Sequence, residues 1–138
     1  MHPHSSPPDA TCVTPILAAA RISTHSQSPQ WYTTAPIPAV RKLLNRVGWT
    51  VADVDAFEIN EAFAVVAMAA AHTLGIPRDR LNLNGGACAL GHPIGATGAR
   101  LLVTLLHALR SCGMRRGVAA LCIGGGEGTA MALECGSA

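Results

Sequence analysis

Ten consecutive residues from Ala62 to Ala71, AFAVVAMAAA, carry no charge, and a second stretch, LLVTLLHAL from Leu101 to Leu109, is apolar on nearly every side. A helix of that kind has no face suited to water and has to be covered on more than one side. Both segments therefore call for cover on more than one side; the alternative is that such alanine-rich helices merely pack closely without being central.

The rest of the chain supplies the sheet. ILAAARI, Ile16 to Ile22, is a short apolar run between Pro15 and the polar STHSQSPQ, which predicts a buried strand followed by a loop. Pro36 and Pro38 open a helix that carries Ile37, Val40, Leu44 and Val47 on one face and stops at Gly48. DAFEIN predicts a short strand ending at Asn60, and the uncharged helix follows at once, from Glu61 to a stop at Gly75. A brief LNLN strand (Leu81 to Asn84), a glycine loop, the Leu101 helix stopping at Gly113, and two strands, VAALCI and TAMALE, joined by GGGEG, complete the pattern. Strands and helices alternate. The expected fold is α/β: a mixed sheet with helices on its faces, ending in an antiparallel hairpin. So few short elements give too few layers to cover both apolar helices.

At 138 residues and 49% hydrophobic content the chain has the length and composition of one globular domain. Its formal net charge of +2, with no basic cluster beyond Arg115 and Arg116, gives no footprint for nucleic acid. Lys42 is the only lysine, which excludes a P-loop. The five cysteines, Cys12, Cys88, Cys112, Cys122 and Cys135, are irregularly spaced and include no Cys-x-x-Cys pair, so they read as reduced thiols in a cytoplasmic setting rather than as disulfides or a metal site. MHPHSSPPDATCVTP, residues 1–15, has four prolines and neither the charged start nor the apolar stretch of a signal peptide, and is expected to be a disordered tail. No run of eighteen uncharged apolar residues predicts a membrane span.

Three groups with chemical potential stand at strand ends or in glycine turns, where open α/β sheets place their sites: Asn60, His92 and Cys122. His92 lies in NGGACALGHPIGATGAR, whose glycines mark a crowded, shaped turn. It sits just ahead of a helix N-terminus, whose positive end disfavours a protonated imidazole. On that segment alone a turn-capping role is the simpler reading. Cys122 ends an apolar strand before Gly124, Gly125 and Gly126, whose bare backbone can bring amide donors close to a bound oxygen. A buried cysteine on its own is usually packing.

Taken together, NEAFA (Asn60 to Ala64), NGGACALGHPIGATGAR and CIGGGEG (Cys122 to Gly128), in this order and spacing, resemble the C-terminal half of a thiolase, the family of acetyl-CoA acetyltransferases and 3-ketoacyl-CoA thiolases. The likeness runs from about Ile16 to Glu134, so residues 16–138 are expected to form the thiolase-like domain. Condensing enzymes of the ketoacyl synthase type share a Gly-His-x-x-Gly-Ala loop, but pair it with a second histidine and lack a cysteine before a triple glycine. The resemblance implies that His92 activates a nucleophilic cysteine and donates to the thioester oxygen, and that Asn60 holds a water completing that oxyanion site. It implies Cys122 as acid and base at the substrate α-carbon and the Gly124 amide as a donor to the acyl-enzyme oxygen. Ala62 and Phe63 are implied along the pantetheine arm of CoA. CoA thioesters would be substrates, with no cofactor or metal.

The chain also departs from the family pattern. Thiolases carry the nucleophilic cysteine in an N-terminal half that these residues do not match, and Cys12, in the proline-rich tail, is a poor substitute. The expectation is a chain inactive by itself that requires an N-terminal thiolase half or a homo-oligomer; the alternative is a non-catalytic subunit or CoA-binding module from a truncated or split gene. Glu127 stands where an apolar residue is common in the family, and Cys88 where Ile is common.

Overall fold

The computed structural model describes residues 19–136. Four strands and four α-helices follow one another as β1 (Ala19–Ser26), α1 (Pro36–Val47), β2 (Ala56–Ile59), α2 (Ala64–Leu74), α3 (Ala87–Leu90), α4 (Thr97–Ser111), β3 (Arg116–Cys122) and β4 (Glu127–Glu134). The sheet order is β1-β4-β3-β2. β2 and β3 run parallel, while β4 is antiparallel to both β3 and β1, so the sheet is mixed and its last two strands form the expected hairpin.

The parallel pair is fixed at both ends. At the start, the Asp55 carboxylate accepts the backbone N–H groups of Arg115 (2.9 Å) and Arg116 (2.8 Å). At the finish, Asn60 N–H donates to the Ala120 carbonyl at 2.9 Å. Between these points all four residues of β2 are buried, because helices cover both of its faces. On one face α1 and α2 pack over Phe57, Ile59, Val118 and Ala120. On the other, Leu101, Leu105 and Leu109 of α4 pack on Ala56, Ala119 and Leu133.

The glycine stops act as the sequence predicts. Gly48 and Gly75 both take φ 71° at the ends of α1 and α2, and the next residue of each, Trp49 or Ile76, donates its N–H to the carbonyl five residues back at 3.0 Å. Gly113, φ 64°, serves α4 in the same way, with Met114 N–H on the Leu109 carbonyl at 2.8 Å.

Three local expectations are corrected. β1 is not a buried strand: it lies at the edge of the sheet with Arg21 and Ile22 exposed, and it runs on through the polar Thr24 and Ser26, because an edge strand needs only one paired side and tolerates polar side chains; residues 16–18 and the expected tail, residues 1–15, lie outside the described residues. LNLN is not a strand. Only Leu81 forms a parallel bridge, to Phe57, and Asn82 at φ 49° then turns the chain away. The glycine loop contains the short helix α3, which its glycines concealed.

The two apolar helices each bury a single stripe. α2 buries Val66, Ala67 and Ala70 but leaves Val65 and Met68 56% and 64% exposed, and Val103 on α4 is 58% exposed.

Close approach, not flexibility, dictates Gly128 in β4. A Cβ there would collide with the Ala35 carbonyl, where α1 begins. Gly128→Ala is therefore expected to destabilise the fold by about 3 kcal/mol, the upper range for overpacking, whereas Gly95→Ala, which meets open space, should stay within about 0.5 kcal/mol of the parent. Urea unfolding of both variants checks this; equal stability of the two would contradict the packing described.

Candidate active site

Asn60 is the residue on which the site is built. It follows β2 directly, is fully buried, and its side-chain Nδ2 lies 3.3 Å from His92 Nε2. His92 Nδ1 lies 2.6 Å from Thr97 Oγ1, and that hydroxyl donates its only hydrogen to the Pro93 carbonyl at 2.9 Å. The chain of donors assigns the imidazole. Since Thr97 has no second hydrogen to give, it must accept from Nδ1–H, which leaves Nε2 with a free lone pair that accepts from the Asn60 amide. An Nε2 lone pair held in place can take a proton from a neighbouring acid. Asn60 Oδ1 is buried and has no hydrogen-bond partner among the described residues.

The loop carrying His92 is tied back to the end of β2 by Glu61. Its carboxylate accepts Asn82 Nδ2 at 3.2 Å and the Cys88 backbone N–H at 2.9 Å. Gly86 leaves room for this arrangement, since a Cβ at that position would displace the Glu61 carboxylate from its place. Desolvation works against the charge on Glu61, yet the hydrogen bonds from Cys88 and Asn82 prevail and its carboxyl lies below the ordinary glutamate value. Asn82 also pairs its side-chain amide with both the N–H (2.8 Å) and the C=O (3.0 Å) of Ile59, standing in for a neighbouring strand. Cys88 is exposed, and its thiol is raised by hydrogen bonding to Glu61, which disfavours a reactive thiolate.

Cys122 ends β3, the strand next to β2. Its thiol is buried in the cluster on the α1 and α2 face, and desolvation pushes its pKa up, so it rests as a thiol whose conjugate thiolate is a strong base. The residues Ile123 to Gly126 then form a tight turn, closed by Gly126 N–H on the Ile123 carbonyl (3.0 Å) and Ile123 N–H on the Glu127 carbonyl (2.8 Å), with Gly126 at φ 102°. Gly124 is exposed at the tip of this turn. Glu127, which follows the turn and opens β4, folds its carboxylate over Gly125.

The structure thus joins Asn60 to His92, and sets Cys122 and Gly124 at the end of the adjacent strand without direct contact to either. Ala62 and Phe63 lie between β2 and α2, Ala62 packed against the core and Phe63 57% exposed. Sequence reasoning missed Thr97, Glu61, Asn82 and the pair Glu58–Arg100; Thr97 was signalled only by its place at the first helical position after the glycine loop. No group of three His, Cys, Asp or Glu side chains able to hold a metal occurs among the described residues, and no described helix is long and apolar enough to cross a membrane.

This three-layer fold, with an asparagine and a histidine joined at one strand end and a cysteine before a glycine turn at the next, is that of a thiolase C-terminal domain. The family model for "Thiolase, C-terminal domain" matches residues 13–135, and the chain belongs to that family. It is 53% identical over 120 residues to the cytosolic acetyl-CoA acetyltransferase of Mus musculus, covering 85% of this chain and 30% of that protein. It is 54% identical over 106 residues to an acetyl-CoA acetyltransferase of Chromobacterium violaceum, covering 77% of this chain and 27% of that protein. The crystal structure of the Bacillus anthracis acetyl-CoA acetyltransferase superposes with a TM-score of 0.81 at 44% identity, over 84% of this chain and 30% of that one. The chain therefore spans less than a third of the length of these relatives.

One buried carboxyl beside the site gives a pH signature. Glu58 is 2% exposed, and desolvation raises its pKa to about 7 against the opposing pull of Arg100, whose Nη1 lies 3.4 Å from Oε2. A carboxyl with a raised folded-state pKa binds its proton more tightly when folded, so its contribution to stability is present below about pH 4.5 and is lost as pH rises toward about 7. Glu58→Gln should flatten the pH dependence of Tm across that window relative to the parent. Thermal unfolding at a series of pH values checks this, and an unchanged slope would contradict it.

Proposed function

We propose that this domain forms the C-terminal half of the catalytic site of a thiolase-type acyltransferase, which moves acyl groups between CoA thioesters by Claisen condensation or thiolysis. The contact that best supports this reading is the one between the buried Asn60 amide and a His92 ring already oriented by Thr97. His92 Nε2 takes the proton of the nucleophilic cysteine, which the N-terminal half of such an enzyme supplies. That thiolate attacks the thioester carbonyl; as the C–S bond to CoA breaks, the acyl group stays on the nucleophile and CoA leaves as a thiol with the proton of Cys122, which remains as thiolate. Once protonated, Nε2 no longer accepts from Asn60 and donates to the thioester oxygen. Asn60 Oδ1, buried and otherwise unpartnered, holds the water that is the second donor.

In the condensation step, Cys122 as thiolate removes an α-proton from a second acyl-CoA. The resulting enolate, its oxygen held by His92 and the water, attacks the acyl-enzyme carbonyl, whose oxygen accepts from Gly124 N–H; the bond to the nucleophilic cysteine then breaks, and that cysteine leaves as thiolate and recovers its proton from His92. Burial of the Cys122 thiol suits this step, since a raised pKa makes the thiolate a stronger base toward a weakly acidic C–H. Ala62 and Phe63 lie along the pantetheine arm. CoA enters and leaves as substrate, and the reading calls for no cofactor or metal. The exposed flanks of α2 and α4 suit coverage by an N-terminal half or a second copy. The names of two relatives described as cytosolic support a cytoplasmic enzyme, and the reading extends to a role in fatty acid metabolism.

The test joins this domain, by fusion or co-expression, to a thiolase N-terminal half and traps the acyl-enzyme for mass spectrometry. His92→Ala should lower acylation about 100- to 1,000-fold, the usual cost of an oxyanion donor, and Asn60→Ala less, because its contact is made through water. Cys122→Ala should still form the acyl-enzyme. Acylation unaffected by His92→Ala would overturn the reading.

A further inference from the structure

Among the described residues four polar side chains are buried, Ser23, Glu58, Asn60 and Thr97, and three of them meet where β2 lies against α4. The periodicities of the two elements explain the meeting. Glu58 and Asn60 are two apart, so both turn to the α4 side of the sheet, and Thr97 and Arg100 are three apart on the first turn of α4, so both turn to the sheet. Two polar links result. One runs from Asn60 through His92 to Thr97, at 3.3 and 2.6 Å. The other is the ion pair of Glu58 and Arg100, at 3.4 Å, with side chains 2% and 19% exposed.

The ion pair is a poor source of stability. Arg100 Nε and Nη2 are buried without partners, and the single contact is long. An imperfect buried pair commonly stabilises a fold less than apolar residues of similar size would, because its attraction does not fully offset the desolvation of both charges. What the pair does fix is position. Apolar contacts between α4 and the sheet, through Leu101, Leu105 and Leu109, are non-directional and tolerate a small slide or rotation. The link through Thr97 does not tolerate one: a displacement of an ångström at the first turn of α4 would break the 2.6 Å contact that assigns the His92 tautomer.

We propose that Glu58 and Arg100 are positioning residues, which set the register of α4 on β2 and thereby hold His92 in its Nδ1–H form with the Nε2 lone pair toward Asn60. Neither touches the reacting atoms. The catalytic consequence rests on the acyl-transfer reading, but the placement of the imidazole does not, so the two can fail separately.

The experiment uses the 138-residue chain, labelled with 15N, at an alkaline pH where imidazoles are neutral, and reads the ring-nitrogen shifts of His92, assigned by loss of its signals in His92→Gln. The parent should show a pyrrole-type Nδ1 and a pyridine-type Nε2, the reverse of the Nε2–H form that free neutral histidine prefers. Thr97→Val should abolish that preference and calibrates the readout. Glu58→Gln and Arg100→Met should each convert the single form to a mixture of tautomers. The double variant Glu58→Met with Arg100→Met removes both charges together and so avoids leaving one buried and unpaired; it too should show the mixture, with native circular dichroism.

A folded double variant in which His92 stays wholly Nδ1–H would overturn the proposal, as would a parent chain in the Nε2–H form. A double variant that does not fold counts equally against it, since the pair would then hold the fold together rather than set a register.

Discussion

The complete burial of the Asn60 side chain is the constraint from which the rest of the site follows. An amide taken from water needs partners, and at the end of a strand covered on both faces the backbone supplies none for a side chain. Its Nδ2 finds His92. For that contact to exist, a glycine loop must return to the strand end, Glu61 must grip it at Cys88, Gly86 must leave room for the carboxylate, and α4 must begin where Thr97 reaches the far side of the imidazole. The contacts of Glu61 and Thr97 satisfy hydrogen-bonding groups, Gly86 gives them room, and together they fix one ring in one orientation.

The same economy explains how a site is shared between strands. β2 and β3 run parallel and end together, so Asn60 and Cys122 arrive at one end of the sheet from neighbouring strands. Their environments differ in a chemically useful way. The amide and imidazole form an ordered polar link, whereas the thiol sits among apolar side chains that raise its pKa. Groups held in such contrasting surroundings suit oxyanion stabilisation on one side and proton removal from carbon on the other.

Much of this was legible in the sequence, and the reasons for the rest are physical. The glycine stops Gly48, Gly75 and Gly113 announce themselves because the left-handed cap follows from local chain geometry. Asn60, His92 and Cys122 stand out as reactive types at strand ends and in glycine turns. Thr97, Glu58 and Arg100 do not, because their roles exist only once α4 packs on β2; Glu58 and Arg100 are 42 residues apart. LNLN misled for a related reason: its alternation suggests a strand, but Asn82 takes a left-handed conformation and uses its side chain in place of a strand's backbone. The incomplete cover of α2 and α4 did follow from the pattern: both are apolar nearly all round, and the described elements bury one stripe of each.

The central claim, that this domain itself removes a proton from the substrate α-carbon, is tested most directly by α-proton exchange. Acetyl-CoA in deuterated water, incubated with the domain joined to a thiolase N-terminal half, should lose its methyl proton signal in NMR with the parent sequence. It should keep that signal with Cys122→Ala. Exchange at the parental rate in folded Cys122→Ala would contradict the account, because the base would then lie elsewhere.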